Sequence, residues 1–347
     1  MGLFDNILHS EESLFKNPIA LDFDFQPKLV PYREDMQHFM ANCIKPLFYR
    51  RNGTNLFIFG PSGVGKTVST KHVLNELEEN TEEIIPVYIN CWKRDSPYKI
   101  AVEICEQIGY TNIFNKKADE LFREAASLLN KKSVVFVFDE VDKLESHQPI
   151  YTILEDIYRK CIFLITNDAE FYKKLDDRLK SRLALKFLEF KPYNFEQTKG
   201  ILKQRIDYAF VNGVFSEEAF EIIAKKTFEL KDIRIGLFLL KEAGNIAEFK
   251  SSRRILKEHA IEAISKLGGF SIRRDVQLKK EDEDLLNMIK ENSGKTSREI
   301  YNIFKEKYGK SYRTFQRKVK YLEEAGLIKT NLFNNYSILE FVEKSKD

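Results

Sequence analysis

The chain lacks most of the features that would place it outside the cell or in a membrane. Its 347 residues hold four cysteines. Cys43, Cys91, Cys105 and Cys161 show neither paired nor metal-ligand spacing, which excludes a disulfide framework or a zinc-ribbon reading and leaves reduced core thiols in a reducing compartment. No run approaches the roughly 18 apolar residues of a membrane span. The early Leu3-Phe4 and Leu14-Phe15 pairs sit too close to acidic residues for a secretory leader. The expectation is therefore a soluble cytoplasmic protein without membrane contact. Charge of either sign is also lacking in excess, with 56 Lys and Arg against 53 Asp and Glu and a net charge of +3, so any basic surface must be local. There is no internal repeat and no low-complexity segment. The length fits about two or three domains.

What the chain does carry is Gly60-Pro61-Ser62-Gly63-Val64-Gly65-Lys66-Thr67, a complete G-x-x-x-x-G-K-[ST] loop. It follows the apolar run 56–59 and precedes a helical stretch at 66–78, the strand-loop-helix context that such a loop requires. The glycines allow a tight turn that aims successive backbone N–H groups at β- and γ-phosphates. Lys66 adds a point charge, and Thr67 a hydroxyl for Mg²⁺. The positive end of the following helix faces the same anion. Residues 61–67 together with Val68 are the candidate nucleotide contacts, and ATP or ADP with Mg²⁺ are the expected ligands.

A second apolar run, 134–138, reads as a strand buried on both faces and ends in Asp139-Glu140. That is a Walker B element: Asp139 would hold Mg²⁺ through water, and Glu140 would orient or deprotonate the attacking water. A third buried run, 161–166, ends in Asn167, whose amide can reach both a γ-phosphate and the lytic water. Next, Arg178 and Arg182 stand four apart on one helix face. In ring or filament ATPases a guanidinium at this point enters the neighbouring subunit's site; a solvated helix with local Asp–Arg pairs explains the same spacing. The S-R-L context at 181–183 resembles the S-R-C of clamp loaders and favours Arg182 as the finger.

Taken together these motifs resemble the archaeal origin-recognition (ORC/Cdc-six type) AAA+ replication initiators. The likeness is carried by V-P-Y-R-E at 30–34, G-P-S-G-V-G-K-T at 60–67, F-D-E-V-D-K-L at 138–144, L-I-T-N at 164–167, R-L-K-S-R at 178–182 and K-D-I-R-I-G-L-F-L-L at 231–240. The resemblance implies that Pro31, Tyr32 and Arg33 lie near the adenine and that Arg234 is a second sensor reaching from a lid to the γ-phosphate. It also implies an extra helical element near 109–117 with Lys116 and Lys117 as phosphate ligands of DNA. One departure stands out: Lys231 occupies a position where the family often has Gly before the Asp. A divergent or mobile-element-encoded member fits that pattern.

The expected fold is α/β: an AAA+ P-loop ATPase domain with a parallel sheet over 1–192, an all-α lid over 193–269 and a C-terminal winged-helix domain over 270–347. The sheet would use strands at 56–59, 84–90, 134–138, 161–166 and 184–190. Ser216 reads as a capped helix start within the lid, and 270–280 as a linker. In the third unit, helical patterns at 281–291, 296–308 and 312–325 precede two β-rich runs around Asn334-Asn335. Phe315, Val319 and Leu322 fall on one face of the third helix, with Arg313, Arg317 and Lys320 on the opposite stripe. With Tyr312, those cations are the candidate contacts to duplex DNA at an origin. The region 331–336 lacks the Arg and Gly that let a wing follow a minor groove. The resulting expectation is a slowly hydrolysing, nucleoid-associated ATPase that acts as an ATP/ADP switch on origin DNA, alone or as a homo- or hetero-oligomer, with a replicative helicase as a further partner. An ATP-regulated transcription factor and an AAA+ ATPase whose C-terminal domain binds protein are the alternatives.

Overall fold

The two longest apolar runs lie side by side at the centre of one parallel sheet. The computed structural model describes residues 13–268, 280–292, 295–324, 328–333 and 336–341. It divides into two compact units, Met1–Ala263 and Ile264–Asp347. In the first unit, β1 (Leu56–Phe59), β2 (Ile84–Asn90), β3 (Ser133–Asp139), β4 (Lys160–Thr166) and β5 (Lys186–Glu189) take the order β2-β3-β4-β1-β5. Every pairing is parallel. All seven residues of β3 are buried. Successive residues alternate between faces, so Phe136 and Phe138 enter one core while Val135 and Val137 enter the other.

Helices cover both faces, as a parallel sheet demands. On one side pack α1 (Glu34–Ile44) and α2 (Lys66–Asn80), through Met40, Ile44, Val73 and Leu74. On the other pack α3 (Pro97–Gln107), α4 (Ala118–Leu129), α5 (Gln148–Asp156), α6 (Phe171–Lys174) and α7 (Asp177–Leu183), through residues such as Ile104, Leu121, Ile153 and Leu179. Each fully buried side chain of this kind contributes about 1.5–3 kcal/mol. The strand expected at 184–190 is shorter than the sequence indicates. Ala184, at φ 46°, ends α7 in the left-handed region, and β5 is an edge strand with Lys186, Phe187 and Glu189 exposed.

Four helices form the lid: α8 (Phe195–Ala209), α9 (Glu217–Leu230), α10 (Ile233–Phe249) and α11 (Lys257–Ser265). Asn194 and Gln197 close a capping box on α8, and the Ser216 hydroxyl caps α9. As far as Ala263 these helices belong to the same compact unit as the sheet. Residues 13–21, read with the sheet domain from sequence, lie instead on the lid. The backbone N–H groups of Lys16 and Asn17 donate to Ala209 O at 2.8 and 3.0 Å. The Phe15 ring stands 4.7 Å from that of Phe210. It also fills the space beside Gly244, where a Cβ would fall 2.4 Å from Phe15 Cζ.

The second unit consists of α12 (Lys280–Glu291), α13 (Ser297–Tyr308), α14 (Tyr312–Glu324) and an antiparallel pair, β6 (Ile328–Phe333) with β7 (Tyr336–Phe341). This is the element order of a winged-helix domain. Thr296 and Glu299 form the capping box that starts α13. The apolar stripe expected on α14 is buried: Phe315, Val319 and Leu322 pack with Leu285, Ile289, Ile300 and Phe304. The linker 270–279 and the turn at Asn334-Asn335 lie outside the described residues. Among the described residues no helix is long and apolar enough to cross a membrane.

Candidate nucleotide and nucleic-acid sites

The phosphate loop connects β1 to α2 and is held from three sides. Gly63 and Gly65 adopt φ of 73° and 89°, which L side chains avoid. They are also approached closely. A Cβ at Gly63 would meet Asp232 Oδ1 at 1.9 Å, and one at Gly65 the Tyr193 hydroxyl at 2.5 Å. Lys66 opens α2, is buried, and donates from Nζ to Gly60 O, Pro61 O and Asn167 Oδ1, each at 2.7 Å. Burial pulls its pKa down to about 8.

Beside the lysine, Thr67 Oγ1 donates to Asp139 Oδ2 at 2.6 Å, and the Tyr88 hydroxyl donates to the same oxygen at 2.6 Å. Asp139 Oδ1 accepts the Glu140 backbone N–H at 3.0 Å. Glu140 takes a left-handed conformation, φ 55°, at the end of β3, and its carboxyl lines the cleft. Burial, then the neighbouring Asp139 charge, raise its pKa above the ordinary carboxylate value.

The lid closes the opposite side. Asp232 caps α10 by accepting the Arg234 backbone N–H at 2.9 Å, and it holds the Arg234 guanidinium through Nε at 3.1 Å and Nη2 at 2.6 Å. Arg234 Nη2 also donates to Ser62 Oγ at 2.7 Å, so a lid side chain touches the phosphate loop. Between them lies a cleft of about 1110 Å³ counted to its open mouth. Its further walls include Ile201, Gln204, Arg205 and Leu237 of the lid, Tyr193 of the connection, and the segment 23–27.

Of the residues picked out from sequence, the fold brings Pro31, Ser62, Gly63, Gly65, Lys66, Thr67, Val68, Asp139, Glu140, Asn167 and Arg234 around this one cleft. Four of the expected nucleotide contacts point elsewhere. Arg33 is buried and works as a clamp: its Nε donates to Val64 O at 3.1 Å and its Nη2 to Lys191 O at 2.6 Å, while its guanidinium covers the Tyr193 ring at 3.9 Å. Tyr32 turns its hydroxyl toward Gly200, where a Cβ would fall 2.1 Å away. Val64 packs into the core under the loop. Pro61 offers only its carbonyl, to Lys66. Sequence reasoning missed Tyr88, Tyr193, Arg205 and the 23–27 wall. Only Tyr193 left a trace, in the Pro192-Tyr193-Asn194 punctuation.

The arginines on α7 do not line the cleft of their own chain. Both are exposed, and Arg182 Nη1 pairs with Glu155 Oε1 at 2.6 Å. The implied helical element at 109–117 is a loop joining α3 to α4. Lys117 is exposed there, but Lys116 is turned inward, donating to the Tyr110 hydroxyl and pairing with Glu124 at 3.3 Å. On α14, Arg313, Arg317 and Lys320 are exposed. Tyr312 packs its ring edge-on against Tyr301 at 4.9 Å and is 40% exposed. Lys310 and Lys318 are committed to α12, Lys310 to Glu281 at 2.7 Å and Lys318 to Asp282 at 2.5 Å.

A parallel sheet with a phosphate loop after β1, an acidic pair at the end of β3 and an arginine delivered by a helical lid define an AAA+ ATPase. Residues 50–172 match the family model of an AAA domain, and residues 199–265 that of a Cdc6 AAA+ ATPase-type lid domain. The chain is 30% identical over 345 residues to ORC1-type DNA replication protein 2 of Methanothermobacter thermautotrophicus, covering 94% of this chain and 90% of that one. It is 30% identical over 331 residues to ORC1-type DNA replication protein 1 of Archaeoglobus fulgidus, covering 89% and 80%. The chain belongs to the ORC1-type DNA replication protein family. The solved Aeropyrum pernix ORC1 protein in complex with DNA superposes with a TM-score of 0.80 at 25% identity, over 95% of this chain and 94% of that one.

Proposed function

We propose that this protein is a replication initiator that recognises origin duplex DNA and uses ATP and ADP as a switch, with a replicative helicase and further initiator copies as partners on DNA. The observation that carries the switch is the Arg234–Ser62 bond at 2.7 Å. Through it the lid senses what fills the phosphate loop, and membership in the ORC1-type family supports DNA as the target.

In this mechanism the loop amides and Lys66 bind the β- and γ-phosphates, Lys66 exchanging carbonyl acceptors for phosphate oxygens. The Thr67 hydroxyl and the Asp139 carboxylate are adjacent hard oxygen donors and fit Mg²⁺, which when bound neutralises phosphate charge. Glu140 accepts the proton of the attacking water, its raised pKa making it a stronger base than an exposed carboxylate. Asn167 orients that water. Arg234 stabilises the γ-phosphoryl charge from the lid, and Arg178 or Arg182 supplies a second guanidinium to a neighbouring copy. Slow turnover leaves ADP held between Lys66, the loop and Arg234. Arg313, Arg317, Lys320 and Tyr312 meet the duplex from α14, with Lys117 as an outlying phosphate contact.

The test is the map of this protein's binding sites on its own genome. Enrichment at a replication start is expected; enrichment at promoters with none at a replication start would replace the initiator with a transcription regulator.

A further inference from the structure

Asp139 takes two hydroxyl hydrogen bonds on one carboxylate oxygen. Thr67 Oγ1 and the Tyr88 hydroxyl each lie 2.6 Å from Oδ2. Thr67 belongs to the phosphate-loop signature; Tyr88 does not. It arrives from β2, where the register pairs Tyr88 with Val137 and Asn90 with Asp139. That places the ring on the α2 face of the sheet beside Val135 and Val137, with its hydroxyl reaching along the strand to the carboxylate.

The terminal torsion of an aspartate is soft and admits a broad range of orientations. Two donors on Oδ2, with the Glu140 N–H on Oδ1 at 3.0 Å, remove that freedom. A threonine hydroxyl has one proton and two lone pairs, so Thr67 can keep donating to Asp139 while its lone pairs face a cation. Tyr88 has no such second task. Its hydroxyl lies against the carboxylate and gives its one proton to Asp139 Oδ2.

We propose that Tyr88 is a positioning residue for the divalent-cation centre, fixing the Asp139 carboxylate in the orientation that receives the metal. The inference rests on the assignment of Thr67 and Asp139 as the Mg²⁺ partners. Hydrogen bonds that orient a metal-binding carboxylate are worth about 10- to 100-fold in metal affinity.

Tyr88→Phe isolates the hydroxyl. The ring remains under Lys71 Nζ, 4.9 Å from its centroid. The backbone remains bonded to the Gln107 side chain at 3.0 and 2.6 Å. The experiment titrates Mg²⁺ against binding of a fluorescent non-hydrolysable ATP analogue to the full chain, for wild type, Tyr88→Phe, Asp139→Asn and the double variant. The expected result is an increase of about 10- to 100-fold in the half-saturating Mg²⁺ for Tyr88→Phe, with metal-free analogue affinity unchanged. Asp139→Asn should itself remove the Mg²⁺ dependence, and in that background Tyr88→Phe should add nothing. A Tyr88→Phe protein with wild-type Mg²⁺ dependence overturns the proposal. So does one whose metal-free affinity falls as far as its Mg²⁺-supported affinity, since that marks a merely structural role. If Asp139→Asn itself keeps full Mg²⁺ dependence, the metal assignment beneath the proposal fails, whatever Tyr88→Phe does.

Discussion

Asp232 holds the arginine that ties the lid to the phosphate loop, and the cost of removing it can be worked from its contacts. It is 7% exposed, caps α10 at 2.9 Å and grips the Arg234 guanidinium at 2.6 and 3.1 Å. Asp232→Ala deletes the cap, a loss of about 1 kcal/mol. It also removes the anion beside Arg234. Breaking a fully buried pair costs about 3–5 kcal/mol, but the Arg234 side chain is 34% exposed, and solvent screening reduces this part to about 1 kcal/mol. The sum is about 2 kcal/mol, a fall of about 4–8 °C in Tm for a unit of this size. Asp232→Asn keeps the cap, since Asn serves there as well as Asp, and should lose about half as much. Thermal unfolding of the nucleotide-free protein, followed by circular dichroism, reads both. A Tm unchanged in Asp232→Ala, or an Asn variant as unstable as the Ala variant, would refute this division between cap and charge.

Lys231 sits at φ 54°, ψ 28° at the end of α9, where an L residue is strained by about 1–2 kcal/mol. Glycine relieves that strain while adding about 0.5–1 kcal/mol of unfolded-chain entropy, so Lys231→Gly should stabilise the protein by about 0.5–1 kcal/mol in urea unfolding. Lys66, with its pKa near 8 against an ordinary 10.5, is protonated in both folded and unfolded chains below pH 8. Between 8 and 10.5 only the unfolded chain keeps the proton, so the nucleotide-free protein gains stability with rising pH across that window. Bound polyphosphate restores the proton, and nucleotide affinity should fall by up to about tenfold per unit above pH 8. Calorimetry at pH 8.5 in buffers of different ionisation enthalpy should record proton uptake, and its absence contradicts the assignment. Lys66→Ala should abolish ATP binding. Glu140→Ala should retain it while turnover drops by about 10²- to 10⁴-fold, measured by filter binding beside phosphate release.

The central strands and the phosphate end of the cleft were legible because they rest on local patterns. A short β-branched and aromatic run such as 134–138 fits a strand buried on both faces of a sheet, and the glycine spacing of 60–67 has few other uses. The lid contact was legible only through family likeness, which placed Arg234 at the loop. The same likeness placed Arg33 at the adenine, whereas its guanidinium lies buried between the Val64 and Lys191 carbonyls. Tyr88 was illegible for a topological reason. Its role depends on β2 lying beside β3 in one register, and nothing within 84–90 announces that neighbour. The stretch 309–320 carries five cations and no acid, yet α12 supplies acids to Lys310 and Lys318, a pairing that only the packed helices bring about.

The most direct test of an ATP-dependent origin-binding protein is a fluorescence-anisotropy titration. The full chain with ATP and Mg²⁺ is titrated against origin-region and scrambled duplexes at two salt concentrations, beside an Arg313→Ala/Arg317→Ala variant. The account predicts a preference for origin duplex that survives the higher salt and is lost in the variant. Equal, steeply salt-dependent binding to every duplex would reduce the interaction to phosphate contacts, and no binding at all would contradict a DNA-directed function.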